Sequence, residues 1–311
     1  MEAEMRKPEH GINKNLASSS SSGLWYIACN FTFCRSTDDV LAAWGLIMSA
    51  SSVRLPLGSW LLQAAGYLLG CTLLHNASCI WGDMCDVEFD KQGERTKVRP
   101  IACGLVSMTG AGILFLVHCL LCVLLLSFAG NAALWVGLLG LFFVDLPYPL
   151  SKRWTDWPQI WLGVATTWGL PVTWVSMTGF MDWNLIPVLF VAGVCWTIYY
   201  DTIYACQDRR DDVKSGVRST AVLFGDNVRA MLAVVAAVFV LCLAYAGVLN
   251  GNGPMYFLIT VVGTAAHLVW QLVTADFDCD ADCWRMFARN SDIGYITVAG
   301  MLCDYCLRMN V

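Results

Sequence analysis

The sequence predicts an all-α, polytopic membrane protein of about nine transmembrane helices, and three observations carry that prediction. The chain of 311 residues is 57% hydrophobic and only 14% charged, whereas soluble domains carry about 25% charged residues. Its apolar residues are gathered into runs that approach the roughly 20 residues needed to cross a bilayer as a helix. The cations are concentrated in every second break between those runs.

The runs fall at 37–53, 55–81, 101–129, 131–150, 157–180, 184–206, 221–248, 253–275 and 290–307. The first is the weakest, opened by Asp38 and Asp39 and closed by SASSVR. Lys91, Arg95, Lys97 and Arg99 follow the second run, and Lys152 and Arg153 follow the fourth. Arg209, Arg210, Lys214 and Arg218 follow the sixth, and Arg285 and Arg289 follow the eighth. The opposite breaks near 130, 181 and 251 hold no Lys or Arg, and Arg54 is the only cation between the first two runs. The positive-inside rule places the even-numbered breaks in the cytosol. Nine helices then put the N-terminus in the cytosol and the C-terminus in the lumen. With that topology the Asn30 sequon escapes glycosylation and the Asn76 sequon is buried.

Residues 1–36 are polar and Ser-rich, and are expected to form a disordered cytosolic N-terminus ahead of a helical domain at 37–311. The segment lacks the apolar stretch of a signal peptide. Glu2, Glu4 and Glu9 do not suit a mitochondrial presequence. The net charge of −5 leaves no nucleic-acid footprint. Zinc-type Cys/His spacing, a P-loop and a dinucleotide fingerprint are all absent. Most of the 15 cysteines lie inside apolar runs, where a free Cys behaves as a small hydrophobe. The Cys303–Cys306 pair lies in the last such run, a poor place for redox chemistry.

Two acidic clusters stand out. On a helix Asp83, Asp86 and Asp90 fall within about 60° of one another while Glu88 points away. Asp201, Tyr204, Asp208 and Asp212 fall within about 80° by the same geometry, with Asp211 at the edge. Each cluster closes an even-numbered run and leads into a basic break, and the two lie about 120 residues apart. An Asp at mid-helix costs about 2.5–3.5 kcal/mol to insert, so solvated helix ends are the simple alternative. Two one-faced clusters, each followed by cations, weigh against it. Mg²⁺ is commonly held by one or two carboxylates plus substrate phosphates. Lys and Arg bind remaining phosphate oxygens, and an apolar bundle suits a lipid tail. These residues point to an intramembrane enzyme acting on a lipid diphosphate.

DMCDVEFDKQGERTKVRPIACG, YPLSKRWTDWPQIWLGVATTWGLP and YDTIYACQDRRDDVKSGVRSTA resemble the first signature, middle helices and second signature of the UbiA superfamily of membrane prenyltransferases. The resemblance spans about 60–300. It implies nine transmembrane helices around a central cavity, with an allylic diphosphate and Mg²⁺ at the cytosolic mouth. It carries metal and diphosphate roles to Asp86, Asp90, Asp208 and Asp212, with Asp83 and Asp201 as second contributors. Arg99, Lys152, Arg153, Lys214 and Arg218 become candidates for the diphosphate. Tyr148 and Tyr204 are candidates for a phosphate oxygen, with simple packing as the equal alternative. Two departures stand out. Gly82 occupies a position where the family usually has Asn, on the stripe of Asp86 and Asp90. FTFCRSTDDVLAAWG replaces the usual basic, Pro-containing entry to the first helix.

In such an enzyme Mg²⁺ and cations stabilise the departing diphosphate, and water is excluded from the allylic cation. Trp81, Trp161, Trp168, Trp174 and Trp196 lie in segments suited to cation–π stabilisation, with ordinary packing as the competing role. The wording of the signatures looks closest to the ubiquinone-type and fungal meroterpenoid branch. Without a mitochondrial presequence, the expectation is farnesyl transfer to an orsellinic-acid-like phenolic acid, with an endomembrane such as the endoplasmic reticulum as location. The rivals are a 4-hydroxybenzoate polyprenyltransferase, a membrane terpene cyclase, and an inactive scaffold, which Gly82 keeps in play. A transporter fits less well because the charges gather at one face rather than at the midplane.

Overall fold

The computed structural model describes residues 37–53, 55–93 and 96–309. The N-terminal segment 1–36 with its Asn30 sequon, Arg54 and Arg95 lie outside the described residues. All regular structure among the described residues is helical. In chain order it comprises α1 (Thr37–Val53), α2 (Leu57–Asp90), α3 (Met108–Ser127), α4 (Asn131–Gly140), α5 (Pro158–Thr167) and α6 (Gly169–Thr178). Then follow α7 (Ile186–Ala205), α8 (Arg209–Ser215), α9 (Thr220–Phe224), α10 (Val228–Leu249), α11 (Thr264–Thr274) and α12 (Asp280–Met309). Five segments among the described residues are long and apolar enough to cross a membrane: 108–127, 131–153, 186–205, 220–249 and 256–274.

The helix with the weakest membrane signal is deeply buried through its middle. Leu41 and Trp44 of α1 are fully buried and Ile47 and Met48 nearly so. Trp44 stacks on Trp196 of α7 at 5.7 Å and on Phe239 of α10 at 6.1 Å. Its indole donates to Thr297 Oγ1 of α12 at 3.1 Å. A helix surrounded by protein needs no lipid-grade composition, which accounts for its Asp and Ser content. Gly45 lets α1 close on α6, because a Cβ there would lie 2.6 Å from the Leu170 carbonyl. By contrast, α3 leaves Leu116, Leu120 and Leu124 more than half exposed, an apolar stripe suited to lipid.

The segment after α4 departs from the α-helix. A π-turn at Leu141–Asp145 and a 3₁₀ turn at Tyr148–Arg153 replace its last turns. Pro147 and Pro149 remove two ladder donors. Indole N–H groups satisfy carbonyls of α4 and of this segment: Trp168 donates to Val136 at 2.8 Å, Trp161 to Val144 at 2.9 Å and Trp81 to Leu146 at 2.8 Å. Trp174 and Trp196 are buried in the core. The indole nitrogens of Trp81, Trp161 and Trp168 are thus committed to the backbone. Asn76 is buried at 6% exposure, and every cysteine among the described residues is free.

Candidate active site

The first acidic cluster occupies the last two turns of α2, which runs to Asp90, well past the end of the apolar run at 81. Asp86 and Asp90 are 8% and 6% exposed, while Glu88 faces outward and pairs with Lys91 at 2.7 Å. Arg99, nine residues beyond the helix end in sequence, lies back over it. Its Nη1 lies 3.0 Å from Asp83 Oδ1 and 3.0 Å from Asp90 Oδ2. Burial opposes the Arg99 charge, but Asp83 and Asp90 outweigh it and raise its pKa. Buried carboxylates need such partners.

The irregular 148–153 turn supplies the next cation. Lys152 Nζ is 3.2 Å from Asp86 Oδ2, and Asp201 on α7 is also within its electrostatic reach. Tyr148 lies close enough to interact with Lys152, Asp86 and Asp201. Tyr204, one turn beyond Asp201, interacts with Arg99. Asp201 and Tyr204 of the second cluster therefore approach the first across the bundle, through Lys152 and Arg99. Arg153 donates instead to the Cys85 carbonyl at 2.8 Å and lies over the Phe89 ring.

The second cluster is not one helix, as the wheel geometry assumed. α7 ends at Ala205, residues 206–208 form a turn, and α8 restarts at Arg209. Asp208 stands at that restart, where its carbonyl accepts the Asp212 N–H at 2.8 Å. The common face drawn for Asp201, Tyr204, Asp208 and Asp212 therefore breaks at the turn. Asp212 Oδ2 lies 3.4 Å from Ser219 Oγ. Lys214 is exposed and pairs with Asp211 at 3.1 Å. Arg218 reaches toward Asp156 at 3.7 Å and the Trp154 carbonyl at 3.4 Å. Arg209 binds Asp278, which gives the acidic run at 275–283 a role as a clasp on α8.

Several contributors escaped the sequence. Phe287 of α12 lies 4.8 Å from the Tyr204 ring and 5.7 Å from Trp284. Together with Tyr200, they make an aromatic wall beside the cluster. The apolar run begun at 290 missed the first turns of α12, whose acidic and basic residues mask the Trp284–Phe287 spacing. Gly82 needs no glycine-specific space, since a Cβ there would meet nothing within 4 Å.

Among the described residues, no three His, Cys, Asp or Glu side chains form a metal cage of their own. Carboxylates offered singly or in pairs fit Mg²⁺ that is held largely by diphosphate oxygens and water. Buried carboxylates and cations facing each other at one end of an apolar bundle suit an enzyme set in a membrane.

The comparisons with known proteins agree. The model of the UbiA prenyltransferase family matches residues 40–293, so the chain belongs to that family and is a prenyltransferase. It is 42% identical to the UbiA prenyltransferase claS of Ampulloclitocybe clavipes, over 86% of each chain. It is 35% identical to the mitochondrial 4-hydroxybenzoate polyprenyltransferase of Schizosaccharomyces pombe, over 84% of this chain and 74% of that one. The fold resembles the apo structure of a UbiA homologue from Aeropyrum pernix K1, with a TM-score of 0.73 at 22% identity, covering 86% of this chain and 96% of that one. It also resembles a UbiA homologue from Archaeoglobus fulgidus bound to GPP and Mg²⁺, with a TM-score of 0.64 at 14% identity, covering 94% of this chain and all of that one.

Proposed function

We propose that this chain transfers a prenyl group, farnesyl in the first instance, from its diphosphate to an orsellinic-acid-like phenolic acid in a Mg²⁺-dependent reaction. In this reading nine helices cross an endomembrane such as the endoplasmic reticulum, and the site faces the cytosol. One observation carries the reading: Lys152 bonds Asp86 of the first cluster and lies within electrostatic reach of Asp201 of the second. The resemblance to the GPP- and Mg²⁺-bound homologue supports it.

Asp86, Asp90, Asp208 and Asp212 would hold the metal, with Asp83 and Asp201 contributing. The metal, when bound, stabilises negative charge on the departing diphosphate. Arg99 and Lys152 now neutralise Asp83, Asp86 and Asp90. With diphosphate present, their N–H donors turn to its oxygens and stabilise the leaving group as the allylic C–O bond breaks. Arg153, Lys214 and Arg218 stand farther out and draw the anion toward the mouth. The hydroxyls of Tyr148 and Tyr204 orient phosphate oxygens. The Tyr204–Phe287–Trp284 wall excludes water and presents ring faces to the allylic cation.

The identity to 4-hydroxybenzoate polyprenyltransferases favours a second reading, with 4-hydroxybenzoate as acceptor and a longer prenyl chain. Membranes containing the chain, incubated with prenyl diphosphates of graded length and a panel of phenolic acids, separate the two by product mass. A 4-hydroxybenzoate product with long chains selects the second reading, and a farnesylated orsellinic-type acid selects the first.

A further inference from the structure

The break in the second cluster raises a physical question. Asp201 belongs to α7 and Asp212 to α8, so no continuous helix fixes one carboxylate relative to the other. A hydrogen-bonded chain does so instead, and its hub is Gln159, in the first turn of α5 and 3% exposed. Gln159 Oε1 accepts the Thr220 N–H at 3.0 Å. The Gln159 side chain also lies within reach of the Asp201 carboxylate. An ionised carboxylate only accepts, so the amide must present its NH₂ to Asp201 and its oxygen to Thr220. Thr220 Oγ1 is 2.6 Å from Thr202 Oγ1, beside Asp201 in sequence. Ser219 caps α9 and lies 3.4 Å from Asp212 Oδ2, to which its hydroxyl donates.

The path Asp201–Gln159–Thr220–Ser219–Asp212 thus connects the two carboxylates through neutral groups. We propose that Gln159 is a positioning residue that, through the Ser219–Thr220 turn, sets Asp201 and Asp212 at the spacing the metal–diphosphate requires. This rests on the assignment of both carboxylates to that site. A glutamine serving only to cap α9 would need its oxygen alone. Here the amide donor is committed as well, to a carboxylate facing Lys152. Partners behind metal-binding groups commonly change metal affinity by about 10- to 100-fold when removed.

A double-mutant cycle tests this in membranes containing the full chain: wild type, Gln159→Met, Asp201→Asn and the double variant. Prenyl transfer and, separately, the melting temperature in detergent with inorganic diphosphate present are each followed against Mg²⁺ concentration, and the melting temperature without Mg²⁺ serves as the fold control. The expected result is a rise of about tenfold in the Mg²⁺ half-saturation for Gln159→Met, and less than about a twofold further change in the Asp201→Asn background. An equal rise in both backgrounds, or an unchanged half-saturation, overturns the proposal. If Gln159→Met does not fold, Gln159→Asn, which keeps the amide but withdraws it from Asp201, carries the same cycle, with the same outcomes deciding it. Wild-type turnover with additive effects overturns the positioning role alone. Absence of wild-type prenyl transfer with every acceptor overturns the functional reading and the positioning role together.

Discussion

The two acidic clusters read alike in sequence but are built differently. The first is the end of one long helix, and cations from two other segments close over it: Arg99 on Asp83 and Asp90, and Lys152 on Asp86. The second is a broken helix in which Gln159 stands at Asp201 and Ser219 at Asp212, while Lys152 reaches Asp201 from the side of the first cluster. The first is held by ion pairs over one helix end, and the second adds hydrogen bonds that bridge a break in the backbone. A helical wheel describes only the first. The similarity of the two motifs in sequence lies in residue type and order, not in backbone.

The largest effects should erase the difference. Asp86→Asn and Asp208→Asn are each expected to lower prenyl transfer by about 100- to 1000-fold, as loss of a principal electrostatic stabiliser does. Turnover at saturating Mg²⁺ checks this, and near-wild-type activity in either variant would confine the chemistry to one cluster.

The next effect should separate the clusters. Arg99→Ala removes a cation from both Asp83 and Asp90. It should lower the melting temperature and raise the KM for the prenyl diphosphate by about tenfold or more, the cost of one charge-assisted contact. Lys152→Met should raise the same KM by a similar factor and leave the acceptor KM unchanged. Steady-state kinetics with each substrate varied in turn reads both.

Smaller effects sharpen how the first cluster receives its lysine. Trp161→Phe removes the N–H that satisfies the Val144 carbonyl, for an expected loss of about 1 kcal/mol by chemical or thermal unfolding. The smallest expected change is at Gly82. Open space there admits Asn without displacement, and a side-chain oxygen on the Asp86–Asp90 stripe should lower the Mg²⁺ half-saturation by a few-fold. A mutation that instead unfolds the chain would show that the stripe faces protein.

Much of this was legible in the residues. Charge and apolar runs located both clusters, and period 3.6 put Asp83, Asp86 and Asp90 on one side and Glu88 on the other. Lys152 was legible as a cation in a basic break. Its route into the site was not, because that route depends on Pro147, Pro149 and indoles far away in sequence. The burial of α1 was hidden because composition reports what a helix can face, not what surrounds it. Gln159 and Phe287 are unremarkable residue types whose roles arise only when α5 meets α9 and α12 meets α7. The break at 206–208 left no Gly or Pro to announce it.

The central claim is that the two clusters act together on a metal-bound prenyl diphosphate. The most direct test incubates membranes containing wild type, Asp86→Asn or Asp208→Asn with farnesyl diphosphate and a panel of phenolic acids, with and without Mg²⁺, and weighs the products by mass spectrometry. The account predicts a prenylated acid that requires Mg²⁺ and disappears in both variants. A product formed without Mg²⁺, or one that survives either substitution, would contradict it.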